Sequence, residues 1–162
     1  MAFGADPAMA DHVADADLAR LVDAARDASQ RAYCPYSQFI VGAAVLTEGG
    51  DVFGGCNVEN ASYGLTICAE RIAVFQAVAR GRRIVLAIVV YTPTAVPTAP
   101  CGACRQVLNE FGPDAVIHCV CDGPESIRAR LSDLLPQAFG PKNLAAATSE
   151  SSLGGVDRPA LG

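Results

Sequence analysis

Tryptophan is missing, aromatic residues make up only 6% of the 162 positions, and basic side chains are outnumbered, 12 Lys and Arg against 17 Asp and Glu. The formal net charge of −5 repels a phosphate backbone, and few aromatic platforms are left for stacking bases. Nucleic acid is therefore not an expected partner. A long hydrophobic run is also missing. The longest extends from Ile84 to Tyr91, far short of the ~20 residues that cross a bilayer, so no membrane partner is expected. From Met1 to Ala16 the chain carries aspartates where a secretory leader needs a basic start and an apolar block. A cytoplasmic location is expected. Seven cysteines make an odd count, and without a leader they favour metal or thiol chemistry over a disulfide framework.

What is present is ample apolar material, 51% of residues, in a length that suits one domain. Residues 1–15 and 145–162 lack hydrophobic periodicity and read as loose tails around a single domain at 16–144. Leu18, Leu21, Val22 and Ala25 follow helical spacing, with Asp15 or Asp17 as N-cap and an end near Ala32, before Pro35. Phe39 to Leu46, the turn Glu48-Gly49-Gly50-Asp51, and Val52-Phe53 read as a β-hairpin. Cys68 to Ala79 is expected to be a helix capped by Thr66 and stopped at Gly81, and Ile84 to Tyr91 a buried strand. Three prolines between Thr92 and Pro100 stiffen a loop. A helix from about Gly102 to Glu110, a strand at Val116 to Cys121, and one or two short helices between Ser126 and Leu135 complete the pattern. Helices and strands alternating in this way imply an α/β fold with a mixed sheet between helical layers.

The most specific local pattern is Pro100-Cys101-Gly102-Ala103-Cys104, a C-x-x-C at the start of one expected helix, paired with Cys68-Ala69-Glu70 at the start of another. A cysteine, a glutamate two residues on and a distant P-C-x-x-C match the general signature of zinc deaminases. Three thiolates favour zinc over harder ions and leave one tetrahedral position open, which separates catalytic from structural sites. They also donate much negative charge. Helix N-termini near Cys68, Cys101 and Cys104 would offset it, with Arg71 and Arg105 as positive charges just outside the ligands. Glu70 lies in the first turn, where it can bend round the helix end toward the same ion. It is expected to carry protons between water, the pyrimidine N3 and the departing amine. Other outcomes stand beside this one. A lone C-x-x-C is most often a redox pair or half of a structural zinc site. A structural site would take a fourth ligand from Cys34, Cys56, Cys119, Cys121 or His118. Glu70 alone would be an ordinary acid at a helix start.

Further blocks accompany the metal motif: Ala32-Tyr33-Cys34-Pro35-Tyr36-Ser37-Gln38-Phe39, Val41-Gly42-Ala43-Ala44, Cys56-Asn57-Val58-Glu59-Asn60 and Leu134-Leu135-Pro136-Gln137-Ala138-Phe139. On these residues the chain, from about Leu18 to Leu144, resembles the small cytidine deaminase family. The resemblance implies a three-layer α-β-α sandwich with a mixed five-stranded sheet and one zinc per subunit. It implies hydrolysis of cytidine and 2'-deoxycytidine to the uridine nucleosides for pyrimidine salvage, in a homotetramer whose active sites are completed by adjacent chains. It also implies roles for single residues. Asn57 and Glu59 would hold a ribose hydroxyl, as an amide and a carboxylate two apart on one strand face can. Phe39 would pack against the base, Ala69 would be a further substrate contact, and Phe139 and Tyr63 would reach the site from a neighbouring subunit. Without the resemblance, Asn57 and Glu59 read as a turn stabilised by its own polar side chains. Cys34, Cys119 and Cys121 read as buried apolar residues, His12 as a surface residue and His118 as a strand-face residue.

Three rival functions use the same features. A blasticidin-type antibiotic deaminase shares the metal chemistry, but the Asn57-Val58-Glu59-Asn60 ribose motif argues against it. A nucleic-acid editing deaminase needs aromatic and basic surfaces that this composition lacks. A non-enzymatic zinc module has no need of Glu70 beside an open position.

Overall fold

Helix α1, Asp15–Ser29, buries Leu21 and Ala25 completely, as the helical spacing of its apolar residues predicts. The computed structural model describes residues 13–144, so positions 1–12 and 145–162 of the expected tails, with His12, lie outside the described residues. Asp15 and Asp17 do not cap α1. Ala14 occupies the N-cap without a side-chain bond, and both aspartates lie in the first turn, where a carboxylate still suits the positive dipole end. The helix stops at Ser29, three residues before the expected limit.

Strands β1, Gly42–Thr47, and β2, Val52–Cys56, form the expected antiparallel hairpin. Phe39 to Val41 stays outside it. The reason is Asn57, whose Oδ1 accepts from the Val41 N–H at 2.9 Å and whose Nδ2 donates to the Phe39 carbonyl at 2.8 Å. A side chain thus takes the bonds that a longer ladder would have used. Helix α2, Ala69–Ala79, follows a 3₁₀ turn at Tyr63–Leu65, and its N-cap is Cys68, not Thr66. Strand β3, Val85–Tyr91, then leads through the proline loop to helix α3, Gly102–Phe111, and strand β4, Val116–Val120.

Ser126–Arg130 was expected to be helical but forms strand β5, antiparallel to β4, with only Leu131–Leu134 helical (α4). Ile127 packs against the core while Ser126 and Arg128 are exposed. This period of two fits an edge strand, and the arginines guard its exposed side. The sheet order is β2-β1-β3-β4-β5, and only β3 and β4 are parallel. That parallel pair needs a crossover, which α3 supplies.

Two cores result, one on each face. Leu21 and Ala25 of α1 pack with Ala44, Leu46, Ala87 and Val89, whereas Ala73, Val74, Ala77 and Leu108 pack with Ala43, Val45, Ile88 and Ile117. The layers are therefore α1, the mixed five-stranded sheet, and α2 with α3. Close approach of α2 depends on Gly55. A Cβ there would meet Ala73 N at 2.5 Å and Ala69 O at 2.6 Å, both backbone atoms of α2. Gly55→Ala should therefore push the first turn of α2 off the sheet and cost about 1–3 kcal/mol, read as a lower urea midpoint. An unchanged midpoint would show that α2 has room to move.

Candidate metal centre and active site

Cys68 is the N-cap of α2 and Cys101 the N-cap of α3, and neither side chain is spent on capping its helix. Cys104 is the third residue of α3. An N-cap and the third helical position face one another across the first turn, so C-x-x-C spacing at a helix start brings two sulfurs together. The Sγ atoms of Cys101 and Cys104 lie 3.5 Å apart, and those of Cys68 and Cys101 lie 4.0 Å apart. A tetrahedral ion with Zn–S bonds of about 2.3 Å needs sulfurs about 3.8 Å apart. The donor set therefore fits zinc in both chemistry and spacing. Among the described residues, no other His, Cys, Asp or Glu joins the three, so a tetrahedral zinc held there would have three protein ligands and one position left for water.

The candidates for a fourth ligand are engaged elsewhere. Cys119 is buried in the core and desolvation pushes its thiol up to about 12. Cys121 is buried, and its single thiol hydrogen has the carbonyls of Ala95, Gly123 and Glu125 within reach, Glu125 nearest at 3.4 Å. The Cys56 thiol donates to Arg31 O at 3.3 Å. Cys34 is only part-buried, so its reading as a core residue needs correcting. It lies in a loop ahead of β1 that reaches solvent. His118 faces the α1 side of the sheet beside Leu18, Leu21 and Arg128, opposite to α2 and α3.

Charge around the sulfurs is arranged unevenly. The bond to Cys104 brings the Cys68 thiol down to about 5 against the cost of burial, with help from the Arg71 guanidinium. Cys104 moves the other way, raised first by that same partnership with Cys68 and then by burial and the Glu70 carboxylate. Three adjacent thiols cannot all ionise without a cation, so metal binding must displace protons. Arg71 Nη2 donates to Thr66 O at 3.1 Å and lies 3.6 Å from the Cys68 sulfur, while its buried Nε has no protein partner. Arg71 thus places a positive charge beside the Cys68 sulfur. Arg105 directs its hydrogen bonds to backbone rather than to the three sulfurs. Its Nε donates to Pro100 O and its Nη1 to Leu134 O, both at 2.8 Å, so it braces backbone on either side of the site.

Glu70 is the second residue of α2 and only 4% exposed. Desolvation raises its carboxyl above the ordinary range, and the charge of Cys68 adds to this. Its own backbone N–H, the Cys104 thiol and Arg71 oppose the rise. A raised carboxyl holds its proton more readily than an exposed glutamate and so is better suited to hand one on.

The remaining candidates fall into two groups. Asn57 and Glu59 lie beyond the end of β2 rather than on a strand, so the shared strand face does not exist. Asn57 is buried and bridges Phe39 to Val41. Glu59 accepts from the N–H groups of Tyr36 and Ser37 and from the Ser37 hydroxyl. These donors, the hydroxyl foremost, hold its carboxyl below the usual range. Phe39 is exposed in the same loop, and Tyr63 tilts against Tyr36 with ring centroids 5.7 Å apart. The methyl of Ala69 is in the core, leaving its backbone N–H as the group available to a ligand. Phe139 belongs to a separate group on α3, where the side chains of Gln106 and Asn109 donate to its carbonyl. Sequence reasoning had missed Ser37, Gln106 and Asn109 as supports. Ser37 lies inside the Ala32 to Phe39 block and Gln106 two residues after Cys104, but only tertiary contacts reveal what they hold.

Residues 16–120 match the family described as the cytidine and deoxycytidylate deaminase zinc-binding region. The chain is 48% identical over 124 residues to cytidine deaminase of Halalkalibacterium halodurans, covering 76% of this chain and 94% of that relative. It is 46% identical over 126 residues to cytidine deaminase of Mycobacterium tuberculosis, covering 78% and 92%. The crystal structure of cytidine deaminase from Burkholderia pseudomallei superposes with a TM-score of 0.71 at 50% identity, over 75% of this chain and 98% of that one. The Mycobacterium tuberculosis structure gives a TM-score of 0.67 at 45% identity, over 78% and 99%. With three convergent sulfurs, a buried glutamate beside them and these likenesses in fold and sequence, the chain belongs to the zinc-binding cytidine and deoxycytidylate deaminase family.

Proposed function

We propose that the chain hydrolyses cytidine and 2'-deoxycytidine to uridine and 2'-deoxyuridine with release of ammonia, as an enzyme of pyrimidine salvage in the cytoplasm. The observation that carries this reading is the buried Glu70 carboxyl beside three sulfurs gathered at two helix N-termini. Zinc held by Cys68, Cys101 and Cys104 supplies a Lewis acid that makes water a nucleophile at neutral pH. Glu70 would take a proton from water as the C4–O bond forms and place it on N3, then take the second proton from the new C4 hydroxyl and pass it to the amine as the C4–N bond breaks. The products are the uracil nucleoside, with its sugar still attached, and ammonia, so both water protons and the water oxygen are accounted for. Burial of Glu70 keeps competing solvent from these transfers.

Asn57 and Glu59 contribute a ribose contact. Glu59 has acceptor capacity beyond its three bonds to Tyr36 and Ser37, and Asn57 has one amide hydrogen beyond its bond to Phe39. Phe39 lines the base, and the Ala69 N–H is a further substrate contact. The active unit is a homotetramer. Tyr63, Leu65 and Phe139 are 74%, 65% and 59% exposed, a load of apolar surface that association would remove from water. None of the helices among the described residues is long and apolar enough to cross a membrane.

The test is a substrate panel of cytidine, 2'-deoxycytidine, free cytosine, blasticidin and single-stranded oligonucleotide, with zinc analysis and sedimentation of the same preparation. Turnover of the two nucleosides by a zinc-loaded tetramer is expected. Turnover of blasticidin alone or of the oligonucleotide alone would assign one of the rival activities, and zinc without turnover would make the chain a binding module.

A further inference from the structure

Phe139 presents its ring to solvent while its own carbonyl is held fast. Gln106 Nε2 donates to Phe139 O at 2.7 Å, and Asn109 Nδ2 approaches the same oxygen at 3.4 Å. Gln106 and Asn109 are three residues apart on α3, so they share one face of the helix. Cys104 and Leu108, on the inner face, are fully buried. The same helix carries Cys101 as its N-cap, and at about 1.5 Å per residue Gln106 lies roughly 7 Å further along its axis. A second anchor lies upstream, where Arg105 donates to Leu134 O at 2.8 Å. Between the anchors the chain passes through Gln137 at φ 55°, a left-handed conformation that a non-glycine residue adopts at a cost and keeps only where its surroundings impose it. Just beyond, Gly140 N–H donates to Asn143 Oδ1 at 2.9 Å. The segment is therefore pinned on both sides of a turn that it would not choose alone.

We infer that Gln106 and Asn109 are positioning residues, which fix through the Phe139 carbonyl the place at which the Phe139 ring meets the pyrimidine of a nucleoside in the adjoining subunit. The inference rests on the role that the family resemblance implies for Phe139, a ring reaching the site of a neighbouring subunit in the proposed tetramer. An exposed ring has little packing of its own to hold it, so its location is set by the backbone from which it projects. That backbone is tied to α3, whose N-terminus is in turn tied to the metal. The helix thus gives one subunit's metal centre and the aromatic offered to the next a common rigid support. Loss of the tie leaves the ring attached but spread over many positions, which weakens substrate binding and spares the proton transfers at Glu70.

The experiment is a double-mutant cycle on the zinc-loaded enzyme with cytidine as substrate. Gln106→Leu should raise KM by roughly three- to tenfold, the range of one hydrogen bond, with kcat within about twofold and zinc content and assembly unchanged. Phe139→Ala should raise KM at least as much, and Gln106→Leu should then add nothing in that background, because contacting residues couple. Gln106→Lys, which restores an N–H donor of similar reach, should recover most of the loss. Asn109→Ala provides an independent second variant should Gln106→Leu fold poorly, with a smaller effect in line with its longer bond. A rise in KM for Phe139→Ala with none for Gln106→Leu or Asn109→Ala overturns the positioning role and leaves Phe139 in place. An equal effect of Gln106→Leu with and without the ring also overturns it. No effect of Phe139→Ala removes Phe139 from the site, and the positioning role with it.

Discussion

Glu70→Gln should hold its zinc and turn cytidine over ~10²–10⁴-fold or more slowly, the scale of a single proton-transferring group. The upper end is expected because one carboxyl serves water, N3 and the amine in turn. Gln keeps the shape and accepts a hydrogen bond, but neither takes nor returns a proton at neutral pH. Only 4% of Glu70 is exposed, so bulk water has poor access to replace it. The same substitution has a predictable sign in the metal-free protein. Desolvation raises the folded carboxyl above its unfolded value, so the folded chain binds the proton more tightly. Stability is then greatest at low pH and falls as pH rises from the unfolded value through the raised folded one. Chelated Glu70→Gln should lose that slope and melt no lower than the chelated parent at pH 7. Kinetics by loss of cytidine absorbance, with zinc analysis and melting, measures all of this. Turnover within tenfold of the parent would remove the shuttle role.

Cys104→Ala should abolish zinc binding at micromolar metal and lower the melting temperature. Cys104 is fully buried and joins the two N-cap sulfurs, so its loss leaves two donors and a small void. A metal held at about a thousandfold above its dissociation constant stabilises a fold by ~4 kcal/mol, which in a chain of this size shifts melting on the order of 10 °C. The chelated parent should melt close to the variant, and adding zinc should restore only the parent. Binding in the parent should weaken as pH falls, because the raised Cys104 thiol must give up its proton to the ion, and more steeply below about pH 5, where Cys68 takes up its proton as well. Full zinc occupancy in Cys104→Ala would show that the three sulfurs are not a single site.

Much of the candidate site was legible because helix starts are written in short sequence. Cys101 and Cys104 need only C-x-x-C and a helix to meet, and Glu70 needs only to follow Cys68 in a first turn. The supports around them were not legible. Arg105 looks like a charge for the thiolates, yet it binds the carbonyls of Pro100 and Leu134, because a long side chain finds whichever acceptor folding brings within reach. Asn57 and Glu59 read as a strand face, but the strand ends at Cys56, before either of them.

The strand at Ser126–Arg130 makes the same point for the fold. Its residues are mostly polar and part-exposed, so no hydrophobic run announced it, and it exists because β4 presents an open edge for pairing. Sequence by itself determined the alternation of helices and strands, the two faces of the core and the cysteine-glutamate constellation, since each follows from spacing within a few neighbouring residues. Tertiary structure alone decided that Cys68 meets Cys101 and Cys104 from a helix start 33 residues before Cys101, that α2 rests on Gly55, and that Phe139 is moored to α3. Those outcomes depend on which backbone groups distant segments leave unpaired when they pack, and local pattern carries no record of that.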